Sequence, residues 1–310
     1  MSRMALHSRI LYLVGFDKAE AAVTWQVAEL SKAWQTAVVL LGVDTPQWLS
    51  FLAKDRQRAL KRRLLDVAKR LRGLKGHVAG IKATVGDART EARRVADHIG
   101  AELIVTGAGP QSVDDPLALS NVAFDIARRA RQDVWICKPH ADPQVDHVLC
   151  AAGTSARAGM AVRLSVDLCR RFNARLRVLS VLEEPEGADP DETARAARQA
   201  QRDFLGQFDL GGVALSRATV WGADATVELL LEAERYSDGL LVMGAASGAG
   251  APGLGATAAP VLRACPSSIL IVRRPCDASA DEDVGTSVAT NTPADAGRDS
   301  RASPTSPPES

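Results

Sequence analysis

The chain has 310 residues, which exceeds most single compact domains, so two domains and an additional segment are expected. With 46% hydrophobic and 24% charged residues, its composition is typical of a globular protein and excludes a low-hydrophobicity, wholly disordered chain. The formal net charge of +1 excludes a strong overall field for nucleic acid or membranes, so any charged partner would need a local patch.

The N-terminal segment and the cysteines predict a cytoplasmic location. The apolar core of the first residues is too short for a signal peptide, and no apolar run is long enough to cross a bilayer, so membrane insertion is not expected. The cysteines follow neither a metal-binding nor a disulfide spacing. We therefore expect buried, reduced thiols at Cys137, Cys150, Cys169, Cys265 and Cys276.

Short apolar runs alternate with stretches of helical period along the whole chain. In the first half, strands are predicted near 9–15, 36–43, 77–85, 102–106 and 134–138, and helices near 18–34, 50–74, 88–99 and 116–131. In the second half, strands are predicted near 146–152, 175–182, 213–221, 239–243 and 268–273, and helices near 157–172, 190–208, 223–236 and 256–264.

Three segments of the first half recur in the second half in the same order. ILYLVGFD (10–17) matches VLCAAGTS (148–155), AELIVTG (101–107) matches DGLLVMG (238–244), and DVWICK (133–138) matches SILIVR (268–273). Two copies of one domain are therefore predicted, at residues 8–140 and 145–275. Because the strands are apolar throughout and are joined by helices, each copy should be a doubly wound, open α/β domain with a five-stranded parallel sheet.

The composition changes abruptly near Cys276. Residues 276–310 are rich in Ser, Thr, Pro, Ala and Asp and contain no aromatic residue. Such a segment cannot bury enough surface to offset its chain entropy, so a disordered, solvated tail is predicted.

Four segments of the second copy resemble a known family: the strand LLVMG, the Gly-rich loop after it, a helix containing APVLRACP and the last strand SILIVRR. In this order they resemble the universal stress protein family in its tandem two-domain form, over about residues 8 to 275. In that family, members that bind ATP carry an Asp at the end of the first strand and a G-x2-G-x9-G-[ST] loop after the fourth. Glycines let backbone amides approach phosphate oxygens, and the following helix N-terminus adds its dipole.

The first copy keeps the spacing of that loop but not its residues. Gly107 fits the first glycine, whereas Pro110, Ser120 and Asn121 stand at the second glycine, the third glycine and the hydroxyl position. Pro110 has no amide hydrogen to donate, and two aspartates within the loop would repel a triphosphate. We expect no nucleotide in this copy.

The second copy keeps more of the chemistry but a shorter spacing. Its candidate nucleotide-binding residues, by this resemblance, are Gly153, Thr154, Ser155, Gly244, Ser247, Gly248, Gly255, Ala256 and Thr257. The expected Asp is replaced by glycine in both copies, at Gly15 and Gly153, with Asp17 two residues further on in the first copy. A Gly-Ala-rich connection of this kind is more often a flexible loop than a site.

A strongly basic helix is predicted in the first copy only. Residues 51–76 have a local net charge of +8, and their leucines and valine recur at spacings of three and four, which predicts one apolar face against the sheet. The charged faces are either a solvated surface or a partner-binding surface, for which the candidates are Lys54, Arg58, Lys61, Arg62 and Lys69. No nucleic-acid motif or interleaved aromatic accompanies them, so nucleic acid is not the expected partner.

The remaining polar residues predict capping rather than catalysis or metal binding. Asp87 and Asp224 precede equivalent helices and are expected to be N-caps. Ser155 lacks a Gly-x-Ser-x-Gly context and an assigned base. The histidines show no metal spacing and are expected at boundaries or on the surface: His7, His77, His98, His140 and His147.

Two functions remain open from the sequence. The favoured one is a non-catalytic binding or regulatory module, with the two copies forming an intramolecular pseudo-dimer, with weak or lost nucleotide binding and with no cofactor. The alternative is an ATP-binding protein, slowly hydrolysing or switched by ATP, that uses the Gly-rich loop of the second copy. Neither a P-loop lysine nor a metal carboxylate is evident near that loop, which argues against efficient phosphoryl transfer.

Overall fold

The computed structural model describes residues 7–45, 53–109, 119–138, 144–153, 156–182, 189–245 and 253–273. These residues belong to one compact unit that covers both copies of the repeat. The tail predicted at 276–310 lies outside the described residues.

The first half alternates strands and helices as predicted. Its elements are β1 (Arg9–Leu13), α1 (Glu20–Trp34), β2 (Ala37–Asp44), α2 (Ala53–Gly73), β3 (Val78–Val85), α3 (Ala88–Ile99), β4 (Leu103–Gly107), α4 (Asn121–Arg129) and β5 (Asp133–Cys137). The start predicted for the second helix and the first residues predicted for the fourth lie outside the described residues.

The second half repeats this order. Its elements are β6 (His147–Ala151), α5 (Ala156–Phe172), β7 (Arg175–Leu182), α6 (Pro190–Gly206), β8 (Leu215–Trp221), α7 (Ala225–Glu234), β9 (Leu240–Gly244), α8 (Ala258–Ala264) and β10 (Ser268–Val272). The strand predicted near 213–221 begins two residues later than expected. The helix predicted near 223–236 is also shorter, and it begins after Asp224 because Asp224 is its cap.

All ten described strands form one sheet in the order β3-β2-β1-β4-β5-β10-β9-β6-β7-β8. Within each half every pairing is parallel, which confirms the predicted doubly wound α/β class. The halves meet where β5 pairs with β10 in antiparallel register, with Ile136 opposite Ile269 and Val134 opposite Ile271. The sequence did not predict that the two sheets join.

Helices cover both faces of the sheet, as strands that are apolar on both sides require. On one face, α1, α2, α5 and α6 pack through a cluster that includes Val27, Leu64 and Val162. On the other face, α3, α4, α7 and α8 pack through a cluster that includes Val95 and Ile126. The predicted apolar face of α2 is confirmed, since its leucine and valine side chains at positions 60, 64, 67 and 71 are buried.

The two predicted aspartate caps are confirmed. Asp87 Oδ1 accepts a hydrogen bond of 2.8 Å from the Arg89 amide at the start of α3. Asp224 Oδ1 accepts one of 2.7 Å from the Thr226 amide at the start of α7. Each carboxylate satisfies an amide that has no partner within its helix, so both residues are explained by local structure.

Buried polar contacts also join the two halves. Asp133, fully buried in β5, accepts hydrogen bonds from His7 Nε2 of its own half at 2.9 Å and from the Arg273 amide of the second half at 2.7 Å. Trp34 Nε1 donates to Asp167 of α5 at 2.7 Å. His7 was predicted at a boundary or on the surface; it lies at the boundary just before β1 but is buried, because Asp133 gives the imidazole a buried partner.

Candidate functional site

The two described ends of the first-half loop after β4 contact each other at Gly109 and Ser120. Gly109 has φ 97°, and a Cβ built there would lie 2.4 Å from the Cβ of Ser120. Ser120 Oγ accepts a hydrogen bond of 3.2 Å from the Ala123 amide, while the Ser120 amide donates to Ala108 at 2.7 Å. The serine at the third-glycine position thus caps α4 and occupies one of the amides that would face an anion. Pro110 lies outside the described residues.

The carboxylate that follows the carboxyl end of β1 is already hydrogen-bonded within the chain. Gly15 is exposed at the position where the resemblance places an Asp. Asp17 Oδ1 accepts a 3.0 Å hydrogen bond from the Ala19 amide, so its carboxylate helps to start α1. Beside it, the Arg63 guanidinium lies 4.2 Å from the centre of the Phe16 ring and donates to the Phe16 carbonyl. This cation–π pair lies where an adenosine-binding carboxylate was expected.

In the second half, part of the predicted nucleotide site lies at one edge of the sheet. β6 and β9 are parallel neighbours. Gly153 follows β6 and Gly244 is the last residue of β9, so both glycines lie at the carboxyl edge of the sheet. This is the edge at which open α/β sheets bind ligands. Gly153 is exposed and carries no carboxylate. Four predicted members of the site, Thr154, Ser155, Ser247 and Gly248, lie outside the described residues.

Gly255, Ala256 and Thr257 lead directly into α8. Thr257 is the N-cap residue but makes no side-chain capping hydrogen bond, in contrast to Ser120 at the corresponding helix. The Gly255 carbonyl accepts from the Ala259 amide at 3.3 Å. Upstream, the Gly253 carbonyl accepts from Arg273 at 3.5 Å. Helix α8 has only seven residues, so its dipole is a weak attraction for an anion.

Some basic residues of helix α2 form salt bridges within the first half. Arg70 pairs with Glu20 at 2.9 Å, and Arg56 pairs with Asp44. Among the partner-binding candidates, Arg58 lies 3.4 Å from Asp55 and Lys69 lies 3.9 Å from Asp66, and all four side chains are highly exposed. Such exposed pairs contribute little to stability.

The other predicted partner-binding residues of α2 are not all described. Lys61 and Arg62 are exposed and have no salt-bridge partner among the described residues. The side chain of Lys54 lies outside the described residues. A partner for this helix stays a prediction.

The described cysteines are buried and unpaired, as predicted, whereas Cys276 lies outside the described residues. Burial raises the pKa of Cys150 and Cys169 to about 12 and that of Cys265 to about 11, and it raises the pKa of Cys137 as well. These thiols are therefore protonated near neutral pH and are poor nucleophiles.

Within the described ranges, no group of three or more His, Cys, Asp or Glu side chains could hold a metal ion. None of the helices described is both long and apolar enough to span a membrane.

Comparison with known proteins gives two kinds of match. The model of the universal stress protein family matches residues 7–138 and again residues 144–273. No curated protein sequence is significantly similar to the chain.

Solved structures with the same fold cover most of the chain. A universal stress protein from Archaeoglobus fulgidus has a TM-score of 0.68 and 19% identity, over 87% of this chain and 97% of its own. A functionally unknown protein from Pseudomonas aeruginosa has a TM-score of 0.65 and 19% identity, over 87% of this chain and 93% of its own. At this identity the structures show the fold alone. Since the family model matches both halves, the chain belongs to the universal stress protein family, as a tandem of two such domains.

Proposed function

We propose that this tandem universal stress protein is a non-catalytic binding or regulatory module in which nucleotide binding is weak or lost. The observation that carries the proposal is the residue found at the end of the first strand in each half. Glycine stands there in both halves, and Asp17, the nearest carboxylate in the first half, is bonded to the Ala19 amide. Without that carboxylate, neither half has the acceptor that the family pattern aims at adenosine.

The phosphate side of the site supports the same proposal. In the first half, Ser120 takes up a helix amide that an ATP-binding member would offer to phosphate. In the second half, Gly255 and Thr257 keep the outline of a phosphate loop, but Ala256 supplies no hydroxyl and α8 is short. Backbone amides alone, without a lysine or a metal, give an ATP complex of low affinity.

We further propose that the two halves act as the two subunits of a dimer joined in one chain. Three contacts support this arrangement: the antiparallel pairing of β5 with β10, the hydrogen bond from the Arg273 amide to Asp133 and the bond from Trp34 to Asp167. In such a chain the surfaces of the two halves are related but different, and their position relative to each other is fixed. We expect it to act in the cytoplasm, where buried, unpaired thiols stay reduced.

The test is calorimetric titration of the full chain with ATP and Mg²⁺. The proposal predicts no saturable binding up to about 1 mM ATP, where a complex would have a binding free energy of about −4 kcal/mol. Gly255→Val is the test variant, and Gly80→Val in β3 of the first half, where an added Cβ meets nothing within 4 Å, is its control.

The titration also decides between the two functions. Stoichiometric binding that Gly255→Val abolishes and Gly80→Val preserves would contradict the proposal. It would support the alternative, an ATP-binding or ATP-switched protein that uses the second-half loop.

A further inference from the structure

A pocket of about 340 Å³ opens at the amino edge of the second half, the edge opposite to the Gly-rich loop. Three of its lining residues, His147, Arg175 and Leu215, are the first residues of β6, β7 and β8. Tyr236, just beyond α7, lies on its far side. The remaining lining residues are Val148, Leu149, Leu176, Arg177, Ala214 and Ser216. Its volume is at the lower end of the range for small-molecule sites.

Strand pairing brings the polar side chains of this pocket together. His147 is the direct neighbour of Arg175 across β6 and β7, and Arg177 is the neighbour of Ser216 across β7 and β8. The imidazole of His147 lies against the Tyr236 ring, with 5.1 Å between ring centres. The side chains of Arg175, Ser216 and Tyr236 have no hydrogen-bond partner among the described residues. Their donors are therefore available to a ligand.

The charge of the pocket favours an anion. Glu232, a buried residue of α7, pairs with Arg177 and also with Arg235 at 3.0 Å, so one carboxylate is shared by two guanidiniums. Arg175 has no salt-bridge partner among the described residues, and no lining residue is acidic. A guanidinium is well suited to a planar, two-oxygen anion, because it donates two parallel hydrogen bonds to a carboxylate.

The first half lacks this arrangement at the equivalent positions. Strand register places Arg9 at the position of His147, Ala37 at that of Arg175, Val39 at that of Arg177 and Gly80 at that of Ser216. The guanidinium of Arg9 is bonded to the Ile99 carbonyl. The fold alone therefore does not account for the polar pocket.

The helix beside the pocket is shorter than its counterpart in the first half. Helix α3 has 12 residues and its last one, Ile99, packs against the core on this face of the sheet. Helix α7 has 10 residues and ends at Glu234, so Tyr236 lies just beyond it.

We propose that this pocket binds a small organic carboxylate with a planar apolar body. Arg175 holds the carboxylate, while the body lies against the His147 and Tyr236 rings and the aliphatic side chain of Leu149, which is on the same face of the sheet. The site is separate from the carboxyl edge where nucleotides were expected, and it does not depend on the fate of ATP binding. It gives the second half a ligand of its own, which goes beyond the proposed regulatory role.

The experiment uses 2-naphthoate as the probe, titrated into the isotope-labelled full chain and followed by amide chemical shifts. We expect a 1:1 complex with shifts at Leu149, Ser216 and Tyr236. The neutral isostere 2-naphthamide should bind at least about tenfold more weakly, because it cannot form the charged pair.

Variants assign the binding to the pocket. Arg175→Gln should weaken 2-naphthoate at least about tenfold, and Arg175→Lys, which keeps the charge, should weaken it less. Arg217→Gln is the matched control, since Arg217 lies on β8, the edge strand next to β7, but lines a groove with Arg198 on the opposite face. The control should change the affinity by less than about twofold. Unchanged amide spectra away from the pocket show that each variant is folded.

Three results would overturn the proposal. One is equal binding of the acid and the amide, since the anion would then play no part. Another is an equal loss in Arg175→Gln and Arg217→Gln, which would indicate diffuse surface attraction. The third is inorganic phosphate producing the same shifts at the same or lower concentration, because the planar body would then contribute nothing.

Discussion

Replacing Asp133 by alanine should destabilise the junction between the two halves strongly. The carboxylate is fully buried and accepts from His7 Nε2 and from the Arg273 amide, two donors that come from opposite ends of the chain. The variant leaves both donors without this acceptor, and a buried polar group that loses its partner costs about 1–3 kcal/mol. The two losses together amount to about 2–6 kcal/mol, a large part of the stability of an ordinary domain.

Urea denaturation followed by circular dichroism measures this loss as a lower midpoint at unchanged slope. Asp133→Asn is the matched control, because its amide oxygen still accepts from the Arg273 amide and should preserve about half of the lost free energy. The reasoning would be refuted if Asp133→Ala lost less than about 0.5 kcal/mol, the range of an ordinary surface change.

Three further predictions concern the helices and the thiols. Leu64→Ala in α2 should cost about 2–5 kcal/mol of unfolding free energy, because Leu64 is fully buried, whereas Leu65→Ala next to it should stay within about 0.5 kcal/mol. A small loss at Leu64 in urea denaturation would contradict the packing. Asp87→Ala should cost about 1 kcal/mol. The hydrogen bond from Arg89 lowers the pKa of Asp87. The contribution of this cap to the unfolding free energy is therefore present above about pH 4 and is lost as the pH falls through the lowered pKa. Equal acid sensitivity of the alanine variant and the unsubstituted chain would refute this. Finally, in a Cys276→Ser background at pH 8, iodoacetamide should label the native chain at least about 100-fold more slowly than the urea-unfolded chain. Rapid native labelling, measured by mass spectrometry, would contradict the burial of Cys137, Cys150, Cys169 and Cys265.

The fold could be predicted from sequence because its signals are local and repeated. The runs near 102–106 and 239–243 have apolar centres, LIV and LLVM, and the aspartates at 87 and 224 mark the starts of two helices, so period and capping agree. The joining of the two sheets could not be predicted, since β5 and β10 have the same apolar pattern as strands that pair in parallel. The two edges that meet are held together by long-range contacts, such as the hydrogen bond from the Arg273 amide to Asp133.

The candidate sites, like the fold, could be predicted from the sequence only in part. Spacing identified Ser120 as a departure from the phosphate-loop pattern, but only the structure shows that its hydroxyl caps α4 against Gly109. The amino-edge pocket had one weak sequence signal, the alternating Arg175 and Arg177 in a strand that is otherwise mostly apolar. Its other members come from three different elements, and their proximity depends on strand order.

Native mass spectrometry of the full chain tests the central claim most directly, because it detects a bound nucleotide whether it was carried through purification or added. Spectra are recorded for the protein as purified and after incubation with ATP and Mg²⁺ at about 1 mM, a concentration that detects binding free energies down to about −4 kcal/mol. The account predicts the mass of the unliganded 32.9 kDa chain in both samples. A stoichiometric adduct of one ATP, absent in Gly255→Val, would contradict it.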